Sequence, residues 1–136
     1  MRHLTKSWIV GFFIVALALG CSGGPVDPGP GSLDSFANLE LQETWELYRL
    51  LLEEKNKTPT KLADVAQMAA AFPVGYDNIQ QGNVVVNWGV AIGPDKTGVL
   101  AYLRDVPKQG GLVLQRNGKI VRMSAAEFSA ANSPSP

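Results

Sequence analysis

Leu41, Trp45, Tyr48 and Leu52 stand at i, i+4, i+7 and i+11, one stripe of a 3.6-residue period. Leu47 and Leu51 widen the stripe, and Glu40, Glu43, Glu46, Arg49, Glu53 and Glu54 lie largely off it. The pattern predicts one long amphipathic helix from Leu33 to Lys57, with Asp34 or Ser35 as N-cap. Acid predominates early and Lys55 and Lys57 come late, which suits the helix dipole. A one-sided helix must bury its stripe against another layer. Beyond Gly82 the period changes from 3.6 to strand-like runs, and these supply that layer. The expected fold class is therefore α+β: a long N-terminal amphipathic helix plus short helices, packed on a small antiparallel sheet of about four strands.

Between the long helix and the strands, Asn56 to Thr60 forms a break. A second helix follows, with Thr58 or Thr60 as N-cap, Pro59 in its first turn, and Leu62, Val65, Ala66 and Ala69 as its apolar face. Phe72-Pro73 ends it, and Val74 to Gln81 reads as a further short helix stopped by Gly82. Val84 to Val90 is a β-rich run, Gly93 to Gly98 a turn cluster, and Val99 to Arg104 a second strand. Asp105 to Gly111 reads as a loop. Leu112–Arg116 and Lys119–Met123 flank Asn117-Gly118, the dipeptide favoured in a type I′ hairpin turn. Ser124-Ala125-Ala126-Glu127 is a capping box that opens a last helix through Phe128.

The chemistry available to such a domain is narrow. The only histidine is His3 and the only cysteine is Cys21, so everything after Cys21 lacks a His ligand, a His general base and a disulfide. Of the basic residues, Arg2 and Lys6 precede Cys21, leaving ten against twelve acidic ones and a formal charge of about −2. That balance argues against nucleic acid as a partner, since phosphate binding needs a clustered basic surface. No cofactor is implied, and the expectation is a protein that is not an enzyme. A carboxylate-only hydrolase remains the catalytic alternative.

The first residues give the chain an address. Arg2 and Lys6 form a positive n-region, and Trp8 to Gly20 is uncharged and apolar. Its length suits a signal-peptide core and falls short of the ~20 residues of a spanning helix. Ala18-Leu19-Gly20-Cys21 resembles the bacterial lipobox, whose commonest form has Leu at the place of Ala18 and a small residue at that of Leu19. The resemblance implies cleavage between Gly20 and Cys21 and acylation of the Cys21 thiol. Several acyl chains hold a protein stably, each buried CH₂ contributing about 0.8 kcal/mol. The alternatives are an ordinary secretory peptide, an uncleaved membrane helix, or a pilin-type leader cut at Gly11-Phe12; the last would carry Glu where Ala16 stands. Ser22 to Ser32, rich in Gly, Pro and Ser, reads as a tether that lifts the domain roughly 20–35 Å off the bilayer. The expected organisation is a signal peptide over 1–20, the acylated Cys21 and tether over 21–32, a globular head over 33–131, and a frayed tail over 132–136.

The head itself resembles the globular head of type IV pilins and type II secretion pseudopilins. The residues that carry this are Glu46-Leu47-Tyr48, the Thr58-Pro59-Thr60-Lys61-Leu62-Ala63-Asp64 break, and the β-meander after it. Val86 to Val90, Val99 to Tyr102, Val106-Pro107 through Gly110-Gly111, and Gly118 to Phe128 are similar to small pseudopilin-related lipoproteins of planctomycete-type bacteria. The resemblance implies the head fold and not filament assembly, while the lipobox implies a head on the periplasmic or extracytoplasmic side of a bacterial membrane. It transfers no site residue, because pilin assembly residues lie in an apolar half-helix that a tether replaces here.

Candidate sites are few. Tyr76, Trp88 and Tyr102 are expected either to join the aromatic core or to line a shallow groove for a partner or ligand. Lys108, Arg116, Lys119 and Arg122 form either a basic patch facing lipid head groups or ordinary surface charge; strand alternation sends Lys119 and Arg122 to opposite faces. The helix glutamates read as a solvated face, with a metal or acid/base site as the sharper alternative. Gly110-Gly111 lacks the helix and the Lys-Ser/Thr of a phosphate loop, and Asp95 and Asp105 lack the alternating oxygens of a calcium loop. The functional expectation is a lipid-anchored cell-envelope module that binds a protein partner without catalysis. The alternatives are a small-ligand-binding lipoprotein and a pseudopilin-related secretion or pilus accessory.

Overall fold

The computed structural model describes residues 31–133, with side chains from Asp34 onward. Cys21, Gly20 and the tether up to residue 30 lie outside the described residues, as do residues 134–136 of the tail. The chain runs through helix α1 (Gly31–Lys55), a 3₁₀ segment (Leu62–Met68), helix α2 (Pro73–Gln80) and strands β1 (Val84–Val86) and β2 (Val99–Leu103). It continues through a short helix α3 (Val106–Gln109), strands β3 (Gly111–Gln115) and β4 (Ile120–Met123), and helix α4 (Ala125–Ala131). The fold class is α+β, as the switch of period predicts.

The four strands form one antiparallel sheet in the order β1-β2-β3-β4, each strand paired with its neighbours in sequence. Helix α1 covers one face. Its Leu41 and Tyr48 pack with Val84, Val86, Leu100, Ala101 and Leu114. Further along the helix, Leu47 and Leu51 meet Val65 and Met68 of the 3₁₀ segment. Helices α3 and α4 cover the other face, where Val106 and Phe128 pack on Val99 and Val113. A bulge between Val99 and Ala101 turns both Leu100 and Ala101 toward α1. Each of these large aliphatic side chains contributes roughly 1.5–3 kcal/mol by leaving water.

Several local expectations are corrected. Helix α1 starts at Gly31 and ends at Lys55, two residues earlier at each end than its pattern suggests, and Asn56 breaks it with a φ of 47°. Asp34 therefore lies inside the first turn and not at the cap, and binds Arg122 of β4 at 2.6 Å. The buried face of α1 is rotated toward Leu41, Thr44, Leu47, Tyr48 and Leu51, leaving Trp45 and Leu52 at its edge. Thr44 is buried because its hydroxyl donates to the Glu40 carbonyl at 2.7 Å, so no polar atom is stranded.

Residues 62–68 wind as 3₁₀ and not as α-helix, and Leu62, Val65 and Met68 explain it. Spaced by three, they share one face only at three residues per turn, whereas Ala66 is exposed. Thr60 shapes the entry: its N–H and hydroxyl both donate to the Asp64 carboxylate at 2.9 Å. The β-rich run stops at Val86, and the expected loop after Asp105 contains α3.

The last hairpin sits where expected but is not type I′. Asn117 keeps a negative φ, Gly118 alone is left-handed at 85°, and the Gly118 N–H donates to the Gln115 carbonyl at 3.0 Å. This is a type I turn closed by a glycine bulge. The Ser124–Glu127 capping box forms in both directions, and α4 runs three residues past Phe128. Among the described residues no helix is long and apolar enough to cross a membrane.

Candidate functional site

The three aromatics named from sequence do not meet. Trp88 stacks on Tyr48, with ring centroids 6.1 Å apart and planes 18° from parallel. Tyr76 packs half-buried against the Leu47–Met68 cluster, which Trp88 also touches. Tyr102 pairs with Val113 in the sheet and so points to the opposite face, where it lies 4.6 Å from Phe128 between centroids. Tyr76, Trp88 and Tyr102 thus do not line one groove together: Tyr76 and Tyr102 join the packing on opposite sheet faces, while Trp88, stacked on Tyr48, also borders a cleft. Tyr48 is the anchor the sequence hides among ordinary core residues. Its hydroxyl donates to the Val90 carbonyl at 2.7 Å, and burial pushes its phenol up to about 12.

The basic residues also disperse. Arg122 is held by Asp34, and the Arg116 Nε donates to the Ala91 carbonyl at 2.8 Å on the far side of the last hairpin. On α1, Arg49 bridges Glu46 and Glu53 at 2.6 Å each, which makes those acids an ion-paired exposed ladder. Glu43 turns across to α2, where its carboxylate accepts from the Gly75 N–H at 2.8 Å near the start of that helix. Glu40 has no such partner in view, and burial raises its carboxyl above the usual range. Among the described residues no three Asp, Glu, His or Cys side chains converge as a metal site.

Two surfaces stand out from this packing. The first is on α1, where Phe36 (66 % exposed) and Leu39 (40 % exposed) are large apolar side chains left to solvent. Leu39 borders a groove of about 270 Å³ shared with Trp45, Gly118 and Ile120. Gly118 is needed there because a Cβ would come within 2.9 Å of the Trp45 ring. Of the acids on this part of α1, Asp34 is paired with Arg122, Glu46 with Arg49, and Glu43 accepts from the Gly75 N–H, so the surface is chiefly apolar with its charge largely balanced.

The second is a cleft of about 910 Å³ where β1 stops short and β2 runs on paired with β3 only. Asn87, Trp88, Gln115, Arg116 and Asn132 line it. The Asn87 amide donates to the Val99 carbonyl at 3.0 Å and to the Asn132 side chain at 2.8 Å, tying the end of α4 to the sheet. That bond gives Asn132, expected in a frayed tail, a fixed place. Nothing in the sequence pattern brings Asn87 and Asn132 together, since they lie 45 residues apart.

The chain matches no family model, no curated protein and no solved structure.

Proposed function

We propose that the protein is a lipid-anchored module of the bacterial cell envelope that binds a protein partner at the membrane surface without catalysing a reaction. The chain would be cleaved before Cys21, acylated there, and held with its head on the extracytoplasmic side. The pilin-like arrangement of a long first helix over an antiparallel meander supports descent from a pseudopilin-type head, with a lipid in place of the filament-forming segment.

The observation that carries the reading is the position of Phe36 and Leu39. These exposed apolar side chains stand at the α1 end that continues through a Gly- and Pro-rich segment to Cys21. A segment of that length reaches roughly 30 Å, so an anchored head presents this end toward the bilayer. The acids around them are largely engaged already, Asp34 by Arg122, Glu43 by the Gly75 N–H and Glu46 by Arg49, so the contact on offer is chiefly apolar and suits a partner with an apolar knob.

A photo-crosslinking residue in place of Phe36, activated in intact envelopes, tests the contact. A discrete protein adduct that disappears when Leu39 is replaced by Asp supports the reading. Adducts with lipid alone, or none, reject it.

A further inference from the structure

The cleft at the open end of β1 is separate from the α1 surface and does not depend on the anchor. We infer that it is a binding site for a carboxylated saccharide, with Arg116 taking the carboxylate and the amides of Gln115 and Asn132 taking ring substituents.

The chemistry of the lining selects this class. Among the described residues Arg116 is the only charged one lining the cleft, and no described acid opposes it. Its Nε is fixed on the Ala91 carbonyl, and among the described residues its two terminal nitrogens have no partner. A guanidinium held by one nitrogen with its outer edge free is preorganised for bidentate contact with a carboxylate. The Gln115 side chain likewise has no partner among the described residues, and Asn132 spends only its carbonyl oxygen, on Asn87. Planar amides, which carry a donor and an acceptor side by side, suit neighbouring hydroxyl and N-acetyl groups. Trp88 adds an apolar wall; Tyr48 stacks against the ring and holds it in place. The volume of about 910 Å³ lies in the range of small-ligand sites.

An extended peptide is the competing ligand, and the backbone disfavours it. Strand addition needs free main-chain groups along an edge. Here the carbonyls that border the cleft are already taken: Gly98 by the Arg116 N–H, Val99 by the Asn87 side chain, and Leu100 by the Asn87 N–H. What the cleft offers is side-chain donors and acceptors, which fit a sugar better than a strand.

Calorimetry on the full chain in detergent micelles tests this with a matched pair. One probe is the N-acetylglucosamine–N-acetylmuramic acid disaccharide, which carries a lactyl carboxylate; the other is chitobiose, which lacks it. The expected result is binding of the carboxylated disaccharide on the order of tenfold tighter than chitobiose, the size of one charge-assisted contact. Arg116→Gln should bring the two affinities together. Gln115→Ala should weaken both, and a thermal midpoint measured for each variant separates lost binding from a folding defect, Arg116→Lys serving as the charge-keeping control for the arginine. The inference is overturned if neither sugar binds at millimolar concentration, or if Arg116→Gln leaves the ratio intact. Binding of an alanyl-glutamate dipeptide without binding of either sugar overturns it in favour of a peptide site.

Discussion

At the scale of single residues, Tyr48 stacks on Trp88, which packs against both clusters under α1, and fixes the loop after β1. Tyr48→Phe keeps the ring stack on Trp88 but leaves the Val90 carbonyl unpaired. The expected loss is about 1–2 kcal/mol, measured by urea unfolding. The pH dependence has a definite sign. A phenol raised to about 12 in the folded state, against an ordinary value of 10.0, contributes stability fully present below pH 10 and lost as pH rises toward 12. Unfolding curves between pH 9 and 12 should show this decline, and Tyr48→Phe should flatten it. Gly75 is a second such point. A Cβ there would sit 2.7 Å from the Glu43 Cβ and 2.9 Å from the Thr44 nitrogen, so α1 and α2 must part to admit it. Gly75→Ala should cost roughly 1–3 kcal/mol. The opposite result, unchanged stability, would mean that the α1–α2 contact relaxes freely. Tyr48 was legible in the sequence as a member of the apolar stripe, but its bond to Val90, 42 residues on, was not. Periodicity reports which face a side chain occupies and is silent about which distant carbonyl that face meets.

At the scale of elements, the capping box of α4 is the part that sequence specifies most completely, because all its groups lie within four residues. Ser124→Ala should lower stability by about 1 kcal/mol, read as a shift in the urea midpoint. Glu127 has its carboxyl held below the usual range by the Ser124 N–H. A depressed folded-state value gives stability that is present above the unfolded carboxyl range and lost as pH falls through the folded value. Glu127→Gln should therefore reduce the acid sensitivity of the fold below about pH 4.5. Asp64, lowered by the Thr60 N–H and hydroxyl, acts in the same direction. The hairpin shows where local reading stops. Asn117-Gly118 marks the bend correctly, but whether two residues or three form the loop depends on register, which Trp45 packing against Gly118 helps to set. Residues 62–68 defeat a local reading for a related reason, since Leu62, Val65, Ala66 and Ala69 fit a 3.6 period, and only burial of Met68 with Leu62 and Val65 selects the 3.0 period. The cleft was not legible at all. It exists because β1 ends three residues long, and its lining comes from four separate stretches of chain.

At the scale of the whole molecule, α1 is the common wall of two hydrophobic clusters, and the sheet separates them from a third. Among the described residues, all three clusters are built from side chains of the head. Cys21→Ser should therefore abolish fatty-acid labelling and move the protein to the soluble fraction without changing the unfolding midpoint of the head. Retained labelling would place the acyl group elsewhere and remove the anchor from the proposed function. The Asp34–Arg122 pair closes the first helix onto the last strand across 88 residues. It has a consequence for biogenesis. If the chain is exported N-terminus first, as proposed, α1 arrives long before the sheet that covers it. Its Leu41, Leu47, Tyr48 and Leu51 must wait, exposed, until β2 and β3 emerge. The interval before the last strand arrives is when this protein would be most open to aggregation, and the acids along the early part of α1 act as a charged guard over that waiting surface.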